Sequence, residues 1–249
     1  MKNHFYMSYP GNKRQEVTKI YPLLDLTNIK IIVEPFCGTC AFSYYVSLQI
    51  SNLTFVLNDN NNYLKEMFEI IIDDRLLNKF ESKVNSVLDT IKNKEDYLTI
   101  IKNDDVISWF IKNKYYNIRP GLYPTNDKFK HIIMRNYPIV DFFKNNKIIF
   151  TCDNAINTYK KYKNNKKSLI FLDPPYISSC NSFYMNPELN IYEYINLNNI
   201  KNEKAKIYLI LENIWIIKLL FQNNKILMEY NKKYEISKKK TTHVIISNR

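Results

Sequence analysis

Long apolar runs without polar alternation recur along the chain, and each is bounded by polar or turn-forming residues. Runs of this kind, rich in Ile, Leu, Val and Phe, are typical of strands that are buried on both faces of a mostly parallel sheet. Five segments fit this pattern: IKIIVEP (29–35), LTFVLND (53–59), KIIFTCD (147–153), SLIFLDPPY (168–176) and KIYLILEN (206–213).

Segments with helical periodicity alternate with these runs. AFSYYVSLQI follows the first strand, and IWIIKLLFQ follows the fifth, with apolar residues recurring at helical spacing. Near the end of the chain, KILMEYNKKYEI and THVIISN are typical of antiparallel strands. The pattern therefore predicts an α/β fold whose sheet is mostly parallel and closes with antiparallel strands.

One segment interrupts this alternation. Residues 63–146 contain no buried-strand pattern, but they include LKEMFEIIIDDRLLNKFESKVNSVLDTI, which is helical in its periodicity. A connection of this length between two strands of one sheet indicates an inserted subdomain rather than a loop. We therefore predict one domain formed by 1–62 and 147–249, with a mainly helical insertion at 63–146.

Composition narrows the possible functions. Hydrophobic residues make up 45% of the chain and aromatic residues 14%, which excludes a disordered protein. No apolar run reaches the roughly 18 residues that a membrane span needs, and the polar start does not resemble a signal peptide. We expect a soluble, intracellular protein with no membrane partner.

Charge suggests a polyanionic partner. The chain has 36 Lys and Arg against 24 Asp and Glu, a formal net charge of +12. This balance favours nucleic acid. Lys and Asn are both abundant, however, and an AT-rich coding sequence is an alternative source of the lysines.

The stretch EPFCGTC (34–40) allows two interpretations. Its two cysteines have the spacing of a thiol redox pair or of half a zinc site, whereas its position after a strand and before a helix indicates a tight turn. Gly38 favours the turn, because the chain has only 3 glycines and keeps one here. A zinc site would also require Cys152 and Cys180, so we predict no metal.

The carboxyl ends of the predicted strands carry the polar residues that chemistry needs. In doubly wound sheets, ligands bind at this edge. Asp59 follows the second strand, where an acidic residue can accept hydrogen bonds from ribose hydroxyls. No phosphate-binding loop is present at these ends.

DPPY (173–176) is the most specific element. Two prolines directly after a buried strand stiffen the loop and remove two backbone donors. Asp173 and the Pro174 carbonyl can then accept hydrogen bonds from one exocyclic amine, which favours its nucleophilic form. Tyr176 offers a ring on which a flipped base stacks.

In order, SYPGNK (8–13), EPFCGT (34–39), LND (57–59) and DPPY resemble the motifs of the Dam-like (α-group) DNA adenine N6-methyltransferases. The resemblance implies a Rossmann-like class I methyltransferase sheet, S-adenosyl-L-methionine as cofactor, and an insertion that recognises the DNA target. It implies these cofactor-binding residues: Tyr9, Lys13, Glu34, Pro35, Phe36, Gly38, Asp59 and Asp173. It implies these catalytic residues: Asp173, Pro174, Pro175 and Tyr176.

Two positions depart from the family pattern. Cys40 stands where the family usually has a second glycine, which would reduce how closely the backbone approaches the cofactor. Tyr9 stands where the family usually has Trp, which keeps an aromatic face with less area.

The insertion interleaves cations with aromatic residues, a combination suited to phosphate neutralisation and base contact. We predict double-stranded DNA as the partner of a monomeric enzyme. The predicted contact residues are Lys114, Tyr116, Arg119, Tyr123, Lys128 and Arg135.

Three alternatives remain open from the sequence. The first alternative keeps the same fold but changes the methyl acceptor to cytosine N4, RNA adenine or protein glutamine, although Asp173 favours adenine in DNA. The second alternative is a DNA-binding derivative with impaired catalysis, an interpretation that Cys40 supports. The third alternative is a thiol or zinc protein built on Cys37 and Cys40.

Overall fold

A computed structural model describes residues 5–7, 9, 11–115, 129–176, 200–233 and 240–249. The chain divides into two compact units, which we call the sheet unit (Lys13–Asn61 and Asn146–Arg249) and the helical unit (Met1–Asn12 and Asn62–Asn145). The first twelve residues thus group with the helices. The assignment of catalytic and DNA-recognition roles to the two parts of the chain stays a prediction.

The sheet unit is built on one mixed sheet. Its strands in the described residues are β1 (Ile31–Glu34), β2 (Thr54–Asn58), β3 (Lys147–Thr151), β4 (Ser168–Leu172), β5 (Lys206–Glu212), β6 (Lys225–Lys233) and β7 (Lys240–Ser247). Their order across the sheet is β3-β2-β1-β4-β5-β7-β6. The first five strands pair in parallel, whereas β7 is antiparallel to both β5 and β6. This arrangement confirms the predicted α/β class with antiparallel final strands.

Helices occupy both units. Those in the described residues are α1 (Val17–Ile20), α2 (Ala41–Ser47), α3 (Asn62–Ile72), α4 (Asp74–Thr90), α5 (Lys94–Ile100), α6 (Val106–Tyr115), α7 (Pro138–Asn145), α8 (Ala155–Tyr162) and α9 (Trp215–Leu220). Short 3₁₀ turns lie at Tyr21–Leu23, Met134–Asn136 and Ile200–Asn202. Each predicted strand is thus present, and helices follow β1 and β5 where the pattern predicted them.

The core of the sheet unit lies around its central strands. Val33 in β1 is fully buried and is in register with Val56 of β2 and Ile170 of β4. Phe42 of α2 stacks on Phe171 of β4, with ring centres 3.8 Å apart and planes within 3° of parallel. This stacking fixes the start of α2 against the strand that precedes DPPY.

The strand β3 differs from the expectation of burial on both faces. It pairs only with β2 at the end of the sheet order, and its residues are partly or largely exposed. Ile149 keeps 44% of its surface accessible. The apolar run is therefore an edge strand. The sequence did not predict this, because composition alone does not distinguish an edge strand from a central one.

The helical unit has an aromatic core of its own. Phe68 stacks on Phe143 with ring centres 4.5 Å apart, and Tyr6 packs against Phe110 at 5.6 Å. Phe5 and Tyr6 are almost completely buried, which explains why the first residues group with these helices. Two of the helices have strong caps, since Asp73 accepts from two backbone amides of α4 and Asn93 forms a capping box on α5. Within the described ranges, none of the helices combines the length and the apolar character needed to cross a membrane.

Candidate active site

The order of the sheet reverses between β1 and β4. These strands are parallel neighbours, and the chain proceeds from β1 to β2 and β3 on one side and from β4 to β5 on the other. In open α/β sheets, such a switch point forms the crevice in which ligands bind, at the carboxyl ends of the strands. The two motifs singled out in the sequence, EPFCGTC and DPPY, begin at these two strand ends.

The turn after β1 is tied to α2 and to β2. The buried carboxylate of Glu34 accepts hydrogen bonds from the backbone amide of Ser43 at 3.2 Å and from its hydroxyl at 2.5 Å. Gly38 has a φ of 47°, and its amide donates to Asp59 Oδ2 at 2.9 Å. The absence of a Cβ at Gly38 therefore suits both the backbone conformation and close approach of a ligand. Pro35 is buried beside this turn, and Phe36 is partly exposed.

The two carboxylates at this turn hold their protons more tightly than usual. Burial raises the pKa of Glu34 to about 8, and the charges of Asp173 and Asp59 add to this effect, against the two hydrogen bonds from Ser43. Desolvation raises the pKa of Asp59 to about 6, although the amides of Gly38 and Asn61 favour its charged form. A cationic ligand beside these two carboxyl groups would lower both pKa values and favour the charged forms.

Asn58 joins three strand ends. Its Nδ2 donates to the carbonyl oxygens of Pro35 at 3.0 Å and Asp153 at 2.9 Å, while its Oδ1 accepts from Thr151 Oγ1 at 2.7 Å and the Asp153 amide at 3.1 Å. Asn58 is completely buried, and these bonds satisfy its side-chain amide in place of water. The sequence placed Asn58 at the end of β2 but assigned it no role.

DPPY brings a charged pair and an aromatic ring together. Lys13 Nζ lies 2.6 Å from Asp173 Oδ2, and both side chains are largely buried. The Tyr176 hydroxyl donates to Asp173 Oδ1 at 3.1 Å, and Lys13 Nζ lies 5.4 Å from the centre of the Tyr176 ring. Three predicted site residues, from two distant parts of the sequence, thus form one cluster. Pro174 is buried and Pro175 partly exposed in the same loop.

A second group of side chains adjoins this cluster and was not predicted. It consists of Glu16, Tyr230, Lys232 and His243. The Tyr230 hydroxyl donates to Glu16 Oε1 at 2.7 Å, Lys232 pairs with Glu16 Oε2, and His243 Nδ1 lies 3.6 Å from Glu16 Oε1. The ring of His243 meets that of Tyr176 edge to face, with centres 4.9 Å apart.

Opposite charges stabilise the ionised form of Glu16. Burial alone raises the pKa of Glu16, but the Lys13 charge and hydrogen bonds from His243 and Lys232 outweigh it, so the pKa lies well below its usual range. Burial lowers the pKa of Lys232, and the Lys13 charge lowers it further, against the pull of Glu16. Glu16 therefore acts as a buried anion between two lysines.

The cysteines of EPFCGTC are buried free thiols. Both Sγ atoms lie near the Gly38 carbonyl oxygen, at 3.8 Å for Cys37 and 3.9 Å for Cys40. Burial raises the pKa of each thiol, and the neighbouring carboxylates add to the effect. Among the described residues, no three His, Cys, Asp or Glu side chains are grouped to hold a metal ion. Cys180, which a zinc site would need, lies outside them.

Cys40 adopts a backbone conformation that favours glycine, the residue that the family usually has at this position. It is the residue before α2 and has φ 57° and ψ 29°, in the left-handed region. Its side chain is completely buried. The departure from the family pattern thus combines an unfavourable backbone conformation with a filled core position.

The predicted DNA-contact residues are only partly described. Tyr116, Arg119, Tyr123 and Lys128 lie outside the described residues. Tyr9, predicted at the cofactor, belongs to the helical unit, where its carbonyl accepts from the Asn12 amide at 3.4 Å.

The two described members have internal contacts. Lys114 Nζ donates to the Tyr6 carbonyl at 2.6 Å and to the Tyr137 hydroxyl at 3.0 Å. Arg135 is exposed and donates to Asn78. Lys114 and Lys130 line a cleft of about 580 Å³ in the helical unit, together with Tyr115 and Tyr137.

Comparison with known proteins supports the motif resemblance. Residues 9–112 match the family model of the D12 class N6 adenine-specific DNA methyltransferases, in agreement with the family that the motifs predicted. No curated protein sequence matches the chain significantly. A solved structure described as an antibiotic-related methyltransferase aligns with a TM-score of 0.37 and 10% sequence identity, over 98% of this chain and 97% of that one.

Proposed function

We propose, from the premise that residues 9–112 form a D12 class N6 adenine-specific DNA methyltransferase domain, that the chain methylates adenine N6 in double-stranded DNA with S-adenosylmethionine. The family match over residues 9–112 supports the assignment of the chain as a DNA adenine methyltransferase. The methyl donor, the roles of individual residues, the double-stranded form of the DNA and a monomeric state are our proposals.

The juxtaposition at the switch point carries the proposal. Asp173 lies at the end of β4 beside the turn after β1, and its carboxylate is already oriented by Lys13 and by the Tyr176 hydroxyl. Each carboxylate oxygen has more than one lone pair, so Asp173 can also accept from the target amine. With the Pro174 carbonyl, it holds the amine in the orientation that exposes its lone pair.

The residues around the turn suit a cationic nucleoside. Gly38 offers a half-exposed backbone without a Cβ, and Asp59 offers carboxylate oxygens to ribose hydroxyls. Asp173 contributes a carboxylate near the same place, and a cationic ligand would favour ionisation of Glu34, whose pKa burial raises to about 8. When bound there, S-adenosylmethionine supplies a methyl group on a sulfonium, which is a strong leaving group.

Transfer needs little further assistance from the protein. S-adenosylmethionine would supply the methyl group, its carbon–sulfur bond breaking with the electron pair kept by sulfur as the N6 lone pair forms the carbon–nitrogen bond, while Asp173 and the Pro174 carbonyl would hold the amine. Asp173 can then accept the proton that the methylated nitrogen releases. The ring of Tyr176 provides a stacking surface for a flipped adenine.

DNA binding is assigned to the helical unit. The cleft lined by Lys114, Lys130 and two tyrosines combines cations with aromatic rings. Arg135 is exposed in the 3₁₀ turn Met134–Asn136. We propose that these residues, with Tyr116, Arg119, Tyr123 and Lys128, contact the phosphates and base edges of the target.

The proposal is tested by incubating the protein with DNA and labelled S-adenosylmethionine, followed by analysis of the nucleosides. We expect N6-methyladenine. Recovery of the label in N4-methylcytosine would mean that the acceptor is cytosine, and recovery only when RNA replaces DNA would mean that the acceptor is RNA. Absence of label at saturating donor and DNA would favour the impaired, DNA-binding alternative.

Substitution of the proposed catalytic carboxylate tests the residue assignment. We expect Asp173→Ala to lower kcat by about 100-fold or more, because it removes a preorganised acceptor that acts on the amine. Asp153→Ala is the matched control, since Asp153 also follows a strand of the sheet but its side chain is exposed and bonds only to Asn154 and Asn157 among the contacts described. Near-normal turnover of Asp173→Ala would overturn the mechanism.

A further inference from the structure

The ring of Tyr176 is oriented by three different groups. Its hydroxyl donates to Asp173, Lys13 lies over the ring, and His243 packs against it at an interplanar angle of 72°. The first two groups belong to the site that the motifs predicted. His243 comes from the far end of the chain and has no part in the proposed transfer.

His243 is itself firmly held. It is completely buried. Its ring also meets that of Tyr230 at 5.4 Å, and its Nδ1 lies 3.4 Å from the Tyr230 hydroxyl. That hydroxyl donates to Glu16, which Lys232 also contacts. The imidazole therefore has a polar partner at Nδ1 and two aromatic rings packed against it, which together fix its plane.

The antiparallel strands at the end of the sheet place His243 at the site. In β7, His243 is in register with Glu212 at the end of β5 and with Tyr230 of β6. Because β5 is the parallel neighbour of β4, His243 lies at the same edge of the sheet as DPPY. The antiparallel pair β6 and β7 thus supplies a wall of the site, although no motif marks it.

We propose that His243 is a positioning residue that sets the plane of the Tyr176 ring for stacking against the target base. This role rests on the function proposed above. Stacking and amine capture must occur together, since Tyr176 and Asp173 lie in one stiff loop and share a hydrogen bond. A ring free to tilt would carry the base away from Asp173 and lower the rate of transfer more than cofactor binding.

Two substitutions distinguish positioning by the ring from a structural role of its nitrogen. His243→Phe keeps a flat ring against Tyr176 but removes Nδ1, whereas His243→Asn keeps a polar group toward Glu16 but removes the ring. We expect His243→Asn to lower kcat about tenfold and His243→Phe to stay within about threefold of wild type. The dissociation constant for S-adenosylmethionine should change little in either. The reverse order of kcat would overturn the proposal.

A double-mutant cycle with Tyr176→Ala tests whether His243 acts through Tyr176. We expect His243→Asn to cause less than about a twofold further loss once the Tyr176 ring is absent. An equal loss in both backgrounds would mean that His243 supports the fold generally. Thr242→Ala is the matched control in the same strand, because Thr242 contacts Asn231 and alternates to the other face of the sheet.

A spectroscopic measurement keeps the proposal testable if methylation is not detected. In protein with isotopically labelled tyrosine, the Tyr176 ring resonance is identified by its loss in Tyr176→Phe. We expect this resonance to shift in His243→Asn and to remain in place in Thr242→Ala. A shift without methylation would retain the positioning role and reject the proposed function, whereas methylation without a shift would do the opposite.

Discussion

The backbone at Cys40 leads to a prediction that separates strain from packing. Cys40 has a φ of 57°, and among the described non-glycine residues only Asn28 and Asn52 share a positive φ. The left-handed conformation costs a residue with a Cβ about 1–2 kcal/mol. A glycine at this position would avoid that cost, but it would also remove a side chain that is completely buried.

The comparison of alanine with glycine isolates the backbone term. Both substitutions remove the sulfur of Cys40, which costs on the order of 1 kcal/mol for a buried atom. Glycine then gains the relief of strain but loses about 0.5–1 kcal/mol through the greater freedom of its unfolded chain. We therefore expect Cys40→Gly to be more stable than Cys40→Ala by about 0.5–1 kcal/mol.

Thermal unfolding followed by circular dichroism measures this difference. For a chain of this size, it corresponds to a Tm about 1–4 °C higher for Cys40→Gly than for Cys40→Ala. Cys37 provides the control, because it is equally part of the turn but has no positive φ, so there alanine should be more stable than glycine. Equal Tm values for the two Cys40 variants, or the same order at both positions, would refute the reasoning.

Two further predictions concern the ionisation of buried groups in the same turn. Burial raises the pKa of Glu34 to about 8, so its contribution to stability is complete below the unfolded value of 4.5 and is lost as the pH rises through 8. Urea titrations should show wild type losing stability relative to Glu34→Gln over that range, by at most about 1.4 kcal/mol per pH unit, and parallel profiles would contradict this. Because burial also raises the pKa of Cys37 and Cys40, iodoacetamide at pH 7.5 should label both slowly in the native protein and rapidly after denaturation, as read by peptide mass spectrometry; rapid native labelling would restore the thiol-enzyme alternative.

Much of the fold could be predicted because its determinants are local. Runs such as SLIFL satisfy both faces of a central strand, and β4 is indeed buried at every residue. The antiparallel final strands were also predicted, from KILMEYNKKYEI and THVIISN. The edge position of β3 could not be predicted, since strand order depends on contacts between distant segments rather than on the run itself.

The site divides in the same way. The placement of Gly38, Asp59 and Asp173 at one edge of the sheet could be predicted because strand ends converge there and because the motifs resemble a known family. Their roles in binding and catalysis stay predictions. The hydrogen bond between Tyr230 and Glu16 joins residues 214 positions apart, and nothing near either residue announces it. A histidine inside the apolar run THVIIS was the one available indication, because a buried histidine needs a partner.

The cysteines of EPFCGTC are explained by the turn rather than by redox chemistry. A reactive thiol requires a lowered pKa and access to solvent, whereas burial raises the pKa of both Cys37 and Cys40 and leaves 0% of Cys40 exposed. The Cys40 carbonyl accepts from the Tyr44 amide in the first turn of α2, so the backbone position is fixed by the helix whatever the side chain. A thiol fills the space under that turn while its Cβ opposes the backbone conformation. The two effects are of similar size and opposite sign, which is why cysteine is tolerated at a position where the family usually has glycine.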